Sequence, residues 1–360
     1  MPLKESATGS CARPLRRAML SAVLLIAICG LETACTSSQP GQVGALPLTF
    51  VQDVSLPGGA TRLDYQVIDP ESKRLYIAHL GDGTVDVVDL NRLMVLGTVD
   101  HVDSAHGIAI APDQHSIIAS ASGTNEAVII DTQTMSITGR VPTGNTPDGI
   151  AYDPQNGRAY VSNEHDHVET VIDVAHGTAA GSIDIGGEAG NTIYDPVTNT
   201  VMVNVQSTNK LLTIDPATNR IINRTSLTGC NSNHGLYVNG AVGLAYVACE
   251  GNATLLVVDL RSHKTIARFD VGQTPDVLAY DTGLSRLYVA SESGVVSVFQ
   301  LEGRGLRKVG EAKLADGAHT VAVDQSTHRV LFPLENVNGK PVLRVMEPTE
   351  LSNPRATDSR

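Results

Sequence analysis

The chain has 360 residues, with 26 Lys and Arg against 38 Asp and Glu, a formal net charge of −12, 4% aromatic residues and no Trp. That length buries a core large enough to fold without a metal or a disulfide. The acidic balance argues against a surface built for nucleic-acid phosphates or anionic lipid, which needs clustered Lys and Arg. The missing Trp removes repeat architectures that rest on a recurring Trp.

Residues 1–34 read as an export signal. Arg13, Arg16 and Arg17 precede an apolar run from Met19 to Ile28, too short to span a bilayer as a permanent helix. Ala34-Cys35 follows, so the segment resembles a bacterial lipoprotein signal with Cys35 as the lipidated first residue; Glu32 stands where such signals usually carry an aliphatic residue. Plain secretory cleavage nearby is the alternative. Either way the mature protein is expected in the periplasm or on the outer membrane or cell surface, touching the membrane only through a lipid anchor. Residues 35–46 form a polar tether, and the part after Ala34 holds 22 basic and 36 acidic residues, a net −14.

Repeats fill residues 47–348. LDYQVIDPESKRLYIAH from Leu63, GIAIAPDQHSIIAS from Gly107, DGIAYDPQNGRAYVSN from Asp148 and GNTIYDPVTNTVMVN from Gly190 place Pro70, Pro112, Pro154 and Pro196 at a period of 42. Three copies without the Pro start at His234, Asp276 and His319. Each copy reads as four short strands with turns rich in Asp, Asn, Pro and Gly, the pattern of a propeller blade. The last copy stops at its third strand, Val342 to Met346, while Leu48 to Leu56 has the pattern of a fourth. The expected fold is therefore an all-β, seven-bladed β-propeller with four-stranded blades, closed by the N-terminal strand. Residues 349–360 read as a disordered tail.

Tyr160-Val161-Ser162-Asn163, with Tyr76-Ile77-Ala78-His79 and Tyr288-Val289-Ala290-Ser291 as variants, resembles the signature of YVTN/YncE-type seven-bladed propellers. Strands ending at Asp89, Asp215 and Asp259 fit the same pattern, and the similarity runs from about Leu48 to Met346. The resemblance implies a fold rather than a function. WD40, kelch, Asp-box and quinoprotein-type propellers in standard form are excluded by the absence of Trp.

Of five Cys, Cys11, Cys29 and Cys35 lie in the leader or at its end, leaving Cys230 and Cys249. They sit where they could meet across a hairpin, and an oxidising compartment would join them; two buried thiols are the alternative. No CxxC or CxxCH suggests redox or haem work.

The residue six before the repeat Pro, or its equivalent, gives the series Asp64, His106, Asp148, Gly190, His234, Asp276, His319, with Asn191 beside the exception. These residues form the candidate ligand site. Imidazole and carboxylate bind divalent cations and move protons near neutral pH, so His106, His234, His319, Glu250 and Glu335 are the candidate metal ligands. Second strands end in a further polar set, His79, Ser120, Asn163, Asn204, Cys249 and Ser291, followed by Glu164, Glu250, Glu292 and Glu335. Both sets are expected to converge on the channel mouth; the competing reading makes them turn caps. Glu164-His165-Asp166-His167 reads as a solvated loop, and Asn231 and Asn233 as further amide donors or turn residues.

No GxSxG, Walker loop or HExxH occurs. The expectation is a monomeric binding propeller holding a small molecule, a partner protein or a divalent metal of unknown identity, with no haem, PQQ, nucleotide or nucleic acid. The alternative is a metal-dependent lyase or lactonase using His234 or His319 as base and Glu250 or Glu335 as ligand.

Overall fold

The computed structural model describes residues 45–351. The leader, Cys35, most of the tether and the tail beyond residue 351 lie outside the described residues. Seven four-stranded antiparallel sheets follow one another around a ring. Six are built from consecutive strands, and the seventh takes its outer strand, Leu48–Ser55, from the start of the chain. That strand pairs with Lys340–Pro348 from Leu48↔Pro348 to Ser55↔Val342, and Thr349 N donates to Pro47 O at 2.9 Å. The ring closes as the strand count predicts, leaving no half-built blade with an open edge.

The turns explain the repeated Asp. Asp69, Asp89, Asp131, Asp153, Asp195, Asp215, Asp259 and Asp324 each accept a backbone N–H two residues on through Oδ1, at 2.8–3.1 Å. This local bond stops one strand and starts the next. Pro after Asp sets the turn's φ in the copies that carry it.

The core lies between blades. Tyr76 and Val87 of blade 1 pack against Ile108, Ile117 and Val128 of blade 2, and the other seams are built alike. Tyr76, Tyr160, Tyr246 and Tyr288, the aromatic residues of the repeat, are fully buried. Burying each such side chain contributes roughly 1.5–3 kcal/mol. Tyr160 Oη also reaches Pro216 O of the next blade at 3.4 Å, so one side chain serves packing and registration together.

Among the described residues no helix is long and apolar enough to cross a membrane. Cys230 and Cys249 are joined by a disulfide with Cα atoms 5.4 Å apart.

Candidate functional site

The inner strands of blades 2 to 6 carry a register shift just where the polar series begins: Ala105/Ile108, Pro147/Ile150, Ala189/Thr192, Asn233/Leu236 and Pro275/Leu278. A bulge of this kind re-aims side chains and lets a strand bend. His106, Asp148, His234 and Asp276 stand in these bulges and, with Asp64, line one cavity of about 150 Å³. Glycine follows three of them, and at Gly107 and Gly235 nothing larger fits. A Cβ on Gly107 would lie 2.0 Å from Asp148 O, and one on Gly235 would lie 1.8 Å from Asp276 O.

The same cavity is walled by Glu164, Glu250 and Glu292 and by two residues that no repeat marks, Arg62 and Tyr65. Arg62 donates to Asp64 at 3.2 Å and to Glu292 at 2.8 Å. Tyr65 donates its hydroxyl hydrogen to Asn191 Oδ1 at 2.5 Å, so its oxygen must accept from His234 Nε2 at 3.1 Å. Blade 1 is thus tied to blades 4 and 5 across the channel. Six carboxylates face a single guanidinium, and the mouth is acidic.

His234 Nε2 also lies 3.4 Å from Asp276 Oδ1 and 3.9 Å from Asp148 Oδ2. Burial alone would lower its pKa, but the bond to Asp276 and the charges of Asp276, Asp148 and Glu250 push it up to about 10. Burial likewise opposes the charge on His319, and Asp276 and Asp64 outweigh it, raising that imidazole to about 9. Burial would raise Asp276, yet the bonds from His234 and His319 hold its carboxyl well below the usual range. Burial dominates at Asp148, which is raised, and at Glu250, which is pushed up to about 6 despite His234 nearby.

The predicted ligands divide. Donor atoms of His234, Glu250 and Asp276 lie within 4.8 Å of one another, as do those of Asp276, Glu292 and His319. The three imidazoles do not form one donor set. His106 lines the cavity but turns Nδ1 toward Ser104 O at 3.0 Å and Ser122 Oγ at 2.9 Å. Glu335 belongs to neither group; its Oε1 lies 4.0 Å from His319 Nε2.

His319 is fully buried, with Nδ1 2.8 Å from Asp276 Oδ2 and Nε2 2.9 Å from Leu63 O. Both partners can only accept, so both nitrogens donate. As it stands, His319 has no lone pair free for a metal or for base catalysis. It joins blade 6 and blade 7 to blade 1.

The second-strand residues correct the expectation that both polar sets reach the mouth. His79, Ser120, Asn163, Asn204, Cys249 and Ser291 are all fully buried and line no part of the cavity. His79 sits between Asp86 Oδ2 at 3.1 Å and Thr61 Oγ1 at 3.0 Å. Asn163 Nδ2 bonds Val161 O, Val168 O and Thr170 Oγ1 within its own blade.

Other residues of these strands brace the neighbouring blade. Ser120 donates to Asp148 O at 2.7 Å, Ser162 to Gly190 O at 2.9 Å, and Asn204 to His234 O at 2.8 Å. They hold the backbone of the next blade's mouth residue, and the Glu side chains that follow reach the cavity instead.

Glu169, deep in the seam between blades 3 and 4, was not foreseen either. Burial raises it to about 8 in spite of the Thr192 hydroxyl that donates to its Oε1.

No protein-family model matches the sequence, and no curated protein matches it. Solved structures do. A chain of Kuenenia stuttgartiensis hydrazine synthase aligns with a TM-score of 0.70 at 15% identity, covering 82% of this chain and 97% of that one. U3-55K aligns at 0.69 and 11%, covering 81% and 97%. The WD40 repeats of RRP9 align at 0.70 and 11%, covering 85% and 99%. At these identities the likeness is one of fold, and it supports the seven-bladed propeller.

Proposed function

We propose that the protein is an exported binding propeller of YVTN/YncE type, in the periplasm or anchored at a membrane through Cys35, whose channel mouth holds a divalent cation or a ligand bound through one. The observation that carries this reading is the donor set of His234, Glu250 and Asp276 in a cavity walled by carboxylates, where a cation would take the place of the proton that His234 holds against Asp276.

A mixed imidazole and carboxylate set suits zinc, manganese or copper better than calcium. The exposed part of the mouth would receive a small molecule or a partner protein, and its acidity disfavours nucleic acid. The test is metal analysis of the purified mature protein beside a His234→Ala control. Stoichiometric metal in the wild type and its loss in the variant are expected; a metal-free wild type after reconstitution would end the proposal.

A metal-dependent lyase or lactonase is the second reading. It is favoured by one contact, the Tyr65 hydroxyl 3.1 Å from His234 Nε2, which holds the imidazolium in place as a proton donor within the site. His319 has no place in that chemistry as the base. Glu250→Ala separates the two readings, abolishing turnover in an enzyme and only weakening binding in a receptor.

A further inference from the structure

One residue after each mouth position stands Gly107, Gly149, Asn191, Gly235, Val277 or Thr320 in blades 2 to 7, and Tyr65 in blade 1. Six blades pack without an aromatic residue at this point, so packing does not call for the seventh. The Tyr65 side chain reaches across the channel, where its hydroxyl meets Asn191 of blade 4 and His234 of blade 5. Tyr65, His234, Glu250 and Asp276 all line the mouth cavity.

The spacing of the polar atoms gives the phenol a role. Tyr65 Oη lies 3.1 Å and Asp276 Oδ1 3.4 Å from His234 Nε2. Donor atoms held at about 2.0–2.2 Å by one ion stand roughly 2.8–3.6 Å apart, in octahedral or tetrahedral geometry alike. The two contacts that now share the imidazolium proton therefore have the lengths of two edges of a coordination shell. Lone pairs are aimed to match. The Tyr65 oxygen accepts from His234 Nε2, so it turns a lone pair to the place of that proton, which is the place a cation would take. Asp276 gives Oδ2 to His319 Nδ1 at 2.8 Å and keeps Oδ1 for the ion.

We infer that Tyr65 is the fourth ligand of the mouth cation, bound as phenolate beside His234, Glu250 and Asp276, and that it tunes the site toward Cu²⁺. This rests on the reading of the mouth as a cation site. Binding one Cu²⁺ forms a bond from the metal to the Tyr65 oxygen and another to His234 Nε2, and it releases the proton of each to solvent. Asn191 then turns its amide and offers Nδ2–H to the phenolate oxygen, where its Oδ1 had accepted. Without a cation the phenol keeps its proton, because burial and the charges of Asp148 and Asp276 push its pKa well above the usual value. A bound cation reverses that logic. Among zinc, manganese and copper, Cu²⁺ binds such donors most strongly and competes best with the phenolic proton.

The test is titration of Cu²⁺ into the metal-free mature protein, followed by calorimetry and visible absorption. A phenolate-to-copper charge-transfer band should grow and saturate at one ion per chain. Tyr65→Phe keeps the ring and removes the oxygen; it should bind Cu²⁺ at least about tenfold more weakly and show no such band. Asn191→Ala removes the other partner of the same hydroxyl and should keep the band, which separates ligation from a merely structural role. The fourth ligand is overturned, and the set of His234, Glu250 and Asp276 left standing, if Cu²⁺ binds without the band, if the band persists in Tyr65→Phe, or if Zn²⁺ binds and Cu²⁺ does not. If neither ion binds saturably, the reading of the mouth falls and the inference with it. The wild-type spectrum decides even where Tyr65→Phe does not fold.

Discussion

Two polar series recur around this propeller, and they have opposite fates. The series at the start of the inner strands, from Asp64 to Asp276, opens into the mouth cavity. The series that ends the second strands, from His79 to Ser291, is fully buried. Residue type does not separate them, since both include imidazole and small polar groups. Backbone geometry does. In blades 2 to 6 a bulge at the inner strand turns its side chain to the channel, whereas the second strands of those blades pair with the third strands without a shift and keep theirs inside the sheet stack. Ser120, Ser162 and Asn204 then hold the bulge carbonyls of the neighbouring blade in place. Repetition of a polar position marks a structural demand as readily as a ligand.

Both series exist only in a closed ring, so the largest effect is expected from opening it. Removing residues 48–56 deletes the whole strand that pairs with Lys340–Pro348 and should leave no cooperative unfolding transition. A truncated protein with the melting curve of the full chain would show that closure contributes nothing.

The next effect comes from the one member of the buried series that is cross-linked. Separating Cys230 and Cys249 by Cys→Ser substitution releases a loop of 19 residues and should cost about 2–4 kcal/mol in denaturant titrations. A smaller effect distinguishes the series directly. Asn163→Ala strips the hydrogen bonds of a fully buried amide and should lose roughly 1–3 kcal/mol. His106→Ala, at the cavity wall, should change stability by about 0.5 kcal/mol or less. Equal losses in the two variants would erase the distinction.

The last effect is a pH slope. His234 and His319 have folded pKa values of about 10 and about 9, above the ~6.5 of a free histidine. Their stabilisation is complete below about pH 6.5 and is lost as pH rises through about 9 to 10. Denaturation midpoints should fall from pH 6.5 to 10 by more than in His319→Gln. An identical slope in that variant would contradict a charged, doubly donating His319.

The fold was legible because its signals repeat. Pro70, Pro112, Pro154 and Pro196 fix the blade length, and the missing fourth strand after Met346 points to Leu48. The mouth was legible for the same reason, as far as Asp64, His106, Asp148, His234 and Asp276. Arg62 and Tyr65 were not, since each occurs in one blade and no periodicity calls attention to it. The burial of His319 was hidden too. Its partner Leu63 O lies 256 residues away, and only ring closure brings the two together. The second-strand set was misplaced because alternation along a strand assigns a face, but not which end of that face meets solvent.

The most direct test of the division between a ligand-facing and a structural series is calorimetric titration of Zn²⁺ and Mn²⁺ into metal-free wild type, Glu250→Gln and Asn163→Ala. Glu250 belongs to the donor group in the cavity, and Asn163 is buried within its blade. Glu250→Gln should lose at least about tenfold in affinity, roughly 1.4 kcal/mol, at unchanged stability. Asn163→Ala should keep wild-type affinity while melting earlier. Equal affinity across all three proteins, or loss confined to Asn163→Ala, would contradict the assignment of the mouth as the binding site.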